Sequence, residues 1–485
     1  MSSSQTKKAR HPWRENIEAF TVAIVMAVML KYFAVEAYQI PTGSMQPTLM
    51  GQEFRERGQV VGEVKDRILV DKLSFHYRDP ERFEVVIFKY PLNRAQNFVK
   101  RLIGLPGDHL KIQNGDLWQR SSASEPWKVL RRPSKVMADQ WKAIDLGEAP
   151  RGVHWVSDDG REIKSRDVDV AGPAALTFAA HGGGSILDTY AHGYPVGMQE
   201  SMKKHPEPHR SNANTVGDLR VTGRVTAKPQ LERCVIEISE GGRRYRFEIA
   251  GPASKEATHV RASWAKREAF ETLDISVEGV RLAAGQAVEF TAQNLDDQLR
   301  LELDGQEIAA VEVPTSVDQT SAVRIELLGG GALLEELQVW RDIYYLEGTF
   351  SSEWVLPAGC YFMMGDNTQD SSDSREWRAL RLKWQGSPAG DQPIAGNARE
   401  GSGDGRYRPD SNPIRQPTEL GMTTFFRDVY GELHIFPKEA ELPLAPPEQY
   451  ANAPFVPREL ITGRAVAVFW PLAWRYGTYR VKWIR

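Results

Sequence analysis

The alternation of hydrophobic and polar positions predicts a chain built mainly from β-strands. Short runs rich in β-branched and aromatic residues, bounded by turn residues, recur over most of its length. These runs include residues 67–71, 83–88, 98–103, 234–238, 245–249, 287–291, 299–303, 323–328, 460–470 and 479–484. Asn114-Gly115 and Asp304-Gly305 interrupt such runs and predict two-residue hairpin turns. The strand spacing in the middle of the chain is typical of an all-β sandwich.

One segment near the amino end has a different pattern. Residues 19–30 carry no charge, and the apolar character extends over 17–38 if Glu18, Lys31 and Glu36 lie near the membrane interfaces. That length is close to the roughly 20 residues of a membrane-spanning helix. Basic residues at positions 7, 8, 10 and 14 predict a cytoplasmic amino terminus. We therefore expect a cytoplasmic segment, 1–15, and a transmembrane anchor, 16–38; a cleavable secretory signal and a buried soluble helix are the alternatives.

The composition narrows the class of protein. At 485 residues the chain is long enough for two or three folded units, and its net charge of −3 gives no bulk attraction to nucleic acid. A hydrophobic fraction of 41% is too low for a protein that crosses a membrane many times. The two cysteines, Cys234 and Cys360, exclude a disulfide scaffold and leave a single bridge possible. The sequence contains neither the GxSxG nor the HExxH motif, so a serine-histidine hydrolase and a zinc protease lack support.

The candidate chemistry starts from a serine just beyond the apolar segment. Ser44 lies in the run Pro-Thr-Gly-Ser-Met, and Lys100 lies in a strand-like run that is followed by Leu-Pro-Gly-Asp. A hydroxyl becomes a good nucleophile when a base removes its proton, and a desolvated lysine can be that base. Apolar neighbours such as Val99 and Leu102 would lower the pKa of Lys100 if they closed over it. Taken alone, Ser44 would be interpreted as an ordinary loop serine, and Lys100 could be a solvated strand lysine beside Arg101.

Two further blocks change this interpretation. Residues 365–375 read Gly-Asp-Asn-Thr-Gln-Asp-Ser-Ser-Asp-Ser-Arg, and residues 455–465 read Phe-Val-Pro-Arg-Glu-Leu-Ile-Thr-Gly-Arg-Ala. In this order, after an amino-terminal anchor, the four blocks resemble those of bacterial type I signal peptidase, a membrane serine protease with a Ser-Lys dyad. The resemblance covers 16–118, 357–377 and 455–472.

The resemblance implies a role for each matching residue. Ser44 is expected to be the nucleophile and Lys100 the general base, without metal or cofactor. The Thr42 hydroxyl and the Ser44 backbone amide would stabilise the oxyanion, and Ser371 would orient the lysine amine. A structural polar cluster is expected at Asp366, Asp373 and Arg375. Shallow apolar substrate pockets that admit alanine-sized side chains are expected from Tyr38, Ile40, Pro41, Met45, Leu49 and Val99.

The expected fold is mainly β: a single amino-terminal transmembrane helix, then a signal-peptidase-like β catalytic domain that carries a large inserted β-sandwich-like region. The catalytic domain is expected in three parts, 39–118, 346–380 and 455–485. The inserted region, 119–345, is similar in strand rhythm to concanavalin-like or laminin-G-like sandwiches, which implies a carbohydrate or protein ligand. The stretch 381–454, rich in Gly, Pro, Asp and Arg, is expected to be a loop-rich insertion.

The sequence thus predicts a membrane-bound endopeptidase that removes signal peptides from exported preproteins after small residues. Its partners would be those signal peptides and membrane lipid, without nucleic acid. It would be a single-pass protein of the cytoplasmic membrane with its catalytic domain on the outer side. Two alternatives stay open: a membrane-tethered binding or scaffolding protein on an inactive peptidase core, and a Ser-Lys protease with another class of substrate.

Overall fold

The computed structural model describes most of the chain. The described residues are 12–29, 34–56, 59–144, 155–156, 162–165, 174–178, 185–188, 214–266, 269–315, 320–386, 390, 392–398, 412–442, 444, 448–473 and 478–484. Within them the paired strands are antiparallel, which confirms a mainly β structure. The α-helices are α1 (Pro12–Met29), α2 (Ser74–Tyr77) and α3 (Ser134–Gln140).

The strands fall into three stretches of the chain. The first contains β1 (Val35–Gln39), β2 (Gly51–Glu56), β3 (Gln59–Lys65), β4 (Arg67–Asp71), β5 (Val85–Tyr90), β6 (Asn93–Gly104), β7 (His109–Gln113), β8 (Asp116–Arg120) and β9 (Lys128–Val129). The second contains β10 (Lys142–Ala143), β11 (Trp155–Val156), β12 (Glu162–Ser165), β13 (Ala174–Phe178), β14 (Leu219–Ala227), β15 (Arg233–Glu240), β16 (Arg243–Ala250), β17 (Thr258–Lys266), β18 (Ala269–Val277), β19 (Ala287–Leu295), β20 (Gln298–Leu303), β21 (Gln306–Glu312), β22 (Ser321–Leu328) and β23 (Ala332–Arg341).

The third stretch returns to the sheet that the first one began. It contains β24 (Glu353–Val355), β25 (Cys360–Met364), β26 (Arg378–Trp384), β27 (Ile394–Asn397), β28 (Ile414–Thr418), β29 (Gly421–Arg427), β30 (Leu433–Pro437), β31 (Glu441–Leu442), β32 (Tyr450–Asn452), β33 (Phe455–Pro457), β34 (Ile461–Trp470), β35 (Leu472–Ala473), β36 (Thr478–Tyr479) and β37 (Lys482–Trp483).

The predicted anchor is not helical over its whole length. The structure describes helix α1 over Pro12–Met29, and residues 35–38, which the prediction placed in the anchor, belong to strand β1. None of the described helices combines the length and the apolar character that a membrane crossing requires.

The central sheet positions the candidate site. Its strands are ordered β1-β4-β34-β5-β6-β25-β33, so segments far apart in sequence pair side by side. The run 85–88 is buried on both faces, which explains its unbroken apolar character. Val86 and Phe88 pack into one core with Leu102, while Val85 and Ile87 pack on the opposite side into another. The sheet therefore holds strand β6, which carries Lys100, between two hydrophobic layers.

The inserted region forms two sheets that share one core. One is ordered β11-β12-β23-β14-β19-β20-β21 and the other β13-β22-β15-β16-β17-β18. Val221 and Phe290 of the first sheet and Ile236 and Ile325 of the second belong to the same buried cluster. Two sheets that face each other across one core form the sandwich architecture that the strand rhythm predicts.

Both predicted hairpin turns are confirmed. Asn114 and Gly115 have positive φ angles of 56° and 92° between β7 and β8, and Asp304 and Gly305 have 48° and 75° between β20 and β21. A two-residue turn with both φ angles positive matches the twist of the flanking strands.

The stretch 381–454 has more regular structure in its described part than the prediction allowed. Strands β28, β29 and β30 form a sheet of their own, and Leu380, Leu382, Trp384, Phe426 and Phe436 form a small core. The high content of Gly and Pro hid this alternation, because turn residues separate its short strands.

The two cysteines do not form the bridge that the sequence left possible. Cys234 and Cys360 are both free, and Cys234 is buried in strand β15.

Candidate active site

The candidate site lies where the chain turns after β1 and approaches β6. Residues 43–45 form one turn of 3-10 helix, with the backbone N–H of Gln46 donating to the carbonyl of Gly43 at 3.0 Å. Lys100 is on β6, where it pairs with Val86 of β5. The turn presents Ser44 to the face of β6 from which Lys100 projects, and the side chains of both residues are buried.

The Lys100 amine and the Ser44 hydroxyl are in direct contact. The distance from Lys100 Nζ to Ser44 Oγ is 2.5 Å, and the two side chains are 4% and 5% exposed. The structure therefore brings together the two residues that the sequence singled out. An amine within hydrogen-bond distance of a hydroxyl can exchange a proton with it directly.

Burial lowers the pKa of Lys100 from 10.5 to about 8. The nearby carboxylates, Asp373 first among them, oppose this shift, and the guanidinium of Arg375 adds to it. Desolvation prevails because the ammonium form loses its hydration inside the protein. A substantial fraction of the amine is therefore neutral in mildly alkaline solution and able to accept a proton.

Asp366 accepts several hydrogen bonds in a buried network beside the serine turn. It accepts two hydrogen bonds from Arg101, at 2.8 and 2.7 Å, and one from the Thr48 hydroxyl at 2.6 Å. The Gln140 side chain of helix α3 donates to it at 3.2 Å. Burial would raise the pKa of Asp366, but Arg101 holds it below its usual value, so the carboxyl is ionised.

A second buried pair closes the loop that follows β25. Asp373 accepts two hydrogen bonds from the guanidinium of Arg375, both at 2.8 Å, and one from the backbone N–H of Gly365 at 3.0 Å. The predicted residues Asp366, Asp373 and Arg375 thus form two adjacent ion-pair sites, with Arg101 completing the first. Their hydrogen bonds satisfy charges that would be costly to bury alone.

Asn367 is a site residue that sequence reasoning missed. Its side-chain amide donates to the carbonyl of Gly43 at 3.0 Å, and its backbone N–H donates to the carbonyl of Ser44 at 3.1 Å. These two bonds hold the serine turn against the loop that contains Asp366. The polar block 365–375 was a signal that this segment matters, but spacing alone does not say which member faces Ser44.

Thr42 and Ser371, the other two residues with an expected catalytic role, both lie near Ser44. Thr42 is half-buried in extended conformation immediately before the turn. The Ser371 hydroxyl is buried and has no hydrogen-bond partner within the described part of the chain, so the expected bond to the Lys100 amine is not formed here. A Cβ on Gly365 would lie 2.3 Å from both Ser371 Oγ and the Ser44 carbonyl oxygen, which places this hydroxyl beside the serine turn.

The six residues expected to form substrate pockets divide into two groups. Ile40, Met45 and Leu49 are buried in the core beneath the turn, and Leu49 has no exposed surface at all. Tyr38 and Val99 pack partly buried against this core, and Pro41 is exposed. Tyr38, Pro41 and Val99 therefore have accessible surface, while Ile40, Met45 and Leu49 belong to the core.

A second buried lysine lies behind the site. Lys142 of β10 lines a small polar pocket together with Gln46, Asp188 and Asn367 among others. Burial, together with the nearby positive charge of Arg341, lowers its pKa to about 7. Residues at the beginning of the inserted region and in the loop after Ser44 therefore line the same pocket.

The comparisons with known proteins identify the family of this chain. Residues 13–144 and 283–387 match the family described as signal peptidase, peptidase S26. The chain is 32% identical over 151 residues to signal peptidase I of Leptolyngbya laminosa, a stretch that covers 28% of this chain and 68% of that protein. The chain belongs to the signal peptidase I family. Its mainly β catalytic domain is therefore a signal peptidase domain.

Other relatives of the signal peptidase I family match over a similar length. A probable signal peptidase I-2 of Synechocystis sp. is 32% identical over 155 residues, which are 30% of this chain and 65% of the relative. The chain thus spans about two thirds of the length of these relatives. Among solved structures, a carbohydrate binding module of Bacillus subtilis matches 41% of this chain and 93% of its own length, at 10% identity and a TM-score of 0.23.

The close packing of Gly365 against the Ser44 backbone can be used to test whether cleavage depends on the exact position of the serine turn. Gly365→Ala would bring a Cβ to 2.3 Å from the Ser44 backbone carbonyl, so the turn must move. We expect the rate of substrate cleavage to fall about 100-fold or more, because displacing a reacting group by about 1 Å can lower the rate by about that factor. Gly242→Ala is the matched control, because a Cβ there meets nothing within 4 Å. Equal activity of the Gly365 variant and the control would contradict the proposed geometry.

Proposed function

We propose that this protein is a membrane-bound serine endopeptidase that removes amino-terminal signal peptides from exported preproteins, with Ser44 as nucleophile and Lys100 as general base. The observation that carries the proposal is the 2.5 Å contact between a buried amine and a buried hydroxyl. Membership of the signal peptidase I family supports the class of substrate. The alternative of a scaffold on an inactive core is not favoured, since both reacting groups are present and in contact.

The proposed reaction uses the neutral form of Lys100. The amine takes the Ser44 proton as Oγ attacks the scissile carbonyl carbon, and a tetrahedral oxyanion forms. The Ser44 backbone N–H and the Thr42 hydroxyl would donate to this oxyanion. The Lys100 ammonium then gives its proton to the leaving amine, and an acyl ester remains on Ser44. Water, deprotonated by Lys100, hydrolyses the ester and releases the signal peptide.

The surroundings of Ser44 support a substrate that is extended and has small side chains. Strand β1 lies at the end of the central sheet, so its outer edge can pair with an extended peptide that leads to Ser44. Tyr38, Pro41 and Val99 offer shallow apolar surface rather than deep pockets. Shallow surface favours alanine-sized residues, which supports cleavage after small residues at positions −3 and −1.

An exposed apolar surface supports attachment to a membrane. Leu69 and Trp483 both pair with Ala467 across neighbouring strands, so their side chains share one face of the sheet, and they are 36% and 70% exposed. Strand β1, which follows helix α1 in the chain, pairs with β4 on the same sheet. Aromatic and aliphatic residues on such a face suit the bilayer interface. We propose a single-pass protein of the cytoplasmic membrane, with helix α1 in the anchor and the catalytic domain on the outer side.

The cleavage product tests the function directly. The full chain in detergent, mixed with a preprotein whose signal peptide ends in Ala-x-Ala, should release a mature protein that begins immediately after the second alanine. Replacing that alanine by a large residue should prevent release. Sequencing the new amino terminus checks both results. An intact preprotein after prolonged incubation, or cleavage that ignores the replaced alanine, would contradict the proposal.

The rate of cleavage should rise with pH and level off above about 8. Only the neutral amine can accept the serine proton, and burial lowers the pKa of Lys100 to about 8, so the rate should fall about tenfold per pH unit below that value. The measurement is kcat/KM for a peptide substrate between pH 6 and 10. Lys142→Met is the control, because the pKa of that buried lysine is about 7 and its removal should leave the midpoint unchanged. A midpoint near 10.5, or one that moves only in the Lys142 variant, would exclude Lys100 as the base.

A further inference from the structure

A cluster of three aspartates lies at the junction between the peptidase body and the inserted sandwich. Asp116 begins strand β8, Asp218 precedes β14, and Asp296 is in the turn between β19 and β20. One carboxylate oxygen from each residue lies within 4.8 Å of those from the other two. Only the folded chain brings these residues together, since the three segments are remote in sequence. The backbone N–H of Asp296 also donates to Asp218 Oδ1 at 3.2 Å. Carboxylates this close to one another repel, and a cation between them would relieve that repulsion.

The carboxylate of Asp296 is the second observation that points to a ligand. The residue is 4% exposed, and its Oδ2 atom is buried without a hydrogen-bond partner within the described residues. Buried carboxylate oxygens in native proteins are almost always hydrogen-bonded or bound to metal. Asp342, which interacts electrostatically with Asp296, also has a buried oxygen without a partner there. At this corner of the junction, two buried carboxylate oxygens therefore lack a donor among the described residues.

The nearby arginines are engaged with other acceptors. Arg131 donates to the backbone carbonyl of Asp296 at 2.7 Å and pairs with Glu312 at 2.5 Å. Arg132 forms its ion pair with Asp342. Neither guanidinium satisfies the free oxygen of Asp296. The charges of both arginines favour the ionised form of Asp296.

A second cluster of residues that could bind a metal differs from the three aspartates in its hydrogen bonds. Asp428, Glu432 and His434 also lie close together, but Asp428 accepts bonds from the backbone N–H groups of Tyr430 and Glu432 and contacts the His434 ring at 2.8 Å. Its own loop satisfies this carboxylate, so no ligand is needed there.

We propose that Asp116, Asp218 and Asp296 bind a divalent cation of the calcium class that joins the β7–β8 hairpin of the peptidase body to the inserted sandwich. The donor set consists only of oxygen atoms, which hard cations prefer, whereas zinc and copper sites use nitrogen and sulfur ligands. Calcium accepts irregular arrangements of six to eight oxygens, so water and backbone carbonyls can complete the coordination around carboxylates from three separate loops. Magnesium requires a near-ideal octahedron and suits this arrangement less well.

Calcium titration of the full chain after treatment with EDTA tests the site. Calorimetry should show about one calcium ion per chain with a dissociation constant between about 10 µM and 1 mM. Saturating calcium should raise the unfolding temperature by about 3 °C or more, because the ion binds the folded state only. Asp296→Asn should weaken binding at least about 10-fold. Asp116→Asn should do the same, and it provides a second test if the buried variant fails to fold.

Asp304→Asn is the matched control. Like Asp296, Asp304 has a positive φ and lies in a turn between strands of the sandwich. Its carboxylate accepts a hydrogen bond from a backbone N–H. Its replacement by asparagine removes the same charge. It should bind calcium like the unmodified chain. The proposal is overturned if calcium produces neither heat nor a change in unfolding temperature, if magnesium binds and calcium does not, or if both cluster variants keep the affinity of the control.

Discussion

Replacing Ser44 by alanine or Lys100 by methionine should lower the rate of preprotein cleavage by at least about 10⁴-fold. Each variant removes one member of a nucleophile–base pair, and the members of such a pair act as a unit, so losing either costs nearly the whole effect. The Lys100 side chain is buried, and methionine keeps about its size without the amine. The unfolding temperature of Lys100→Met should therefore not fall, which separates loss of chemistry from loss of folding.

Lys89→Met is the matched control for this prediction. Lys89 lies on the adjacent strand β5, where its side chain is exposed, so the same substitution removes an amine that takes no part in the reaction. Its rate of cleavage should stay within about twofold of the unmodified chain. A Lys100→Met variant that cleaves as fast as Lys89→Met would show that another group deprotonates Ser44.

Replacing Asp366 by asparagine should lower the free energy of unfolding by about 3 kcal/mol or more. The substitution leaves the guanidinium of Arg101, which has no exposed surface, without its charged partner. Removing one member of a buried ion pair costs about 3–5 kcal/mol, because the other charge remains buried. Activity should fall as well, since the adjacent Asn367 holds the carbonyls of Gly43 and Ser44. Denaturant unfolding and the rate of cleavage measure the two effects.

An exposed ion pair supplies the control for this second prediction. Asp79 and Arg458 are 3.0 Å apart, but the side chain of Asp79 is 80% exposed, so Asp79→Asn should cost no more than about 1 kcal/mol. The double variant Arg101→Met with Asp366→Asn should be more stable than the sum of the two single changes predicts. Each single change leaves one buried charge without its partner, whereas the double variant removes both charges. Strict additivity would contradict a direct coupling between Arg101 and Asp366.

Much of the local structure could be predicted because the relevant signals lie within a few residues of one another. The turn at Asn114-Gly115 was predictable because both positions take positive φ, which asparagine and glycine adopt readily. The buried strand at 85–88 was recognisable because a strand that is covered on both faces has no polar alternation. Ser44 and Lys100 could be paired only through the resemblance to signal peptidases, since 55 residues separate them and no short-range pattern joins them.

Contacts between remote segments account for what could not be predicted. Lys100 and Arg101 are neighbours on β6, so their side chains point to opposite faces, and one meets Ser44 while the other meets Asp366. The sequence alone gives no sign that both are buried. The same holds for Asn367, whose partner lies more than 300 residues away. Leu49 suited an apolar pocket by its residue type, but its place in the core follows from how the turn packs on the sheet.

The fate of the serine oxygen is the most direct test of the account. A preprotein mixed with the full chain in detergent can be quenched in acid within the first turnover, and the digested chain can then be examined by mass spectrometry. The account predicts a signal-peptide ester on Ser44, formed at a rate that rises with pH through about 8. An ester on any other residue, or cleavage at the normal rate without an ester on Ser44, would contradict it.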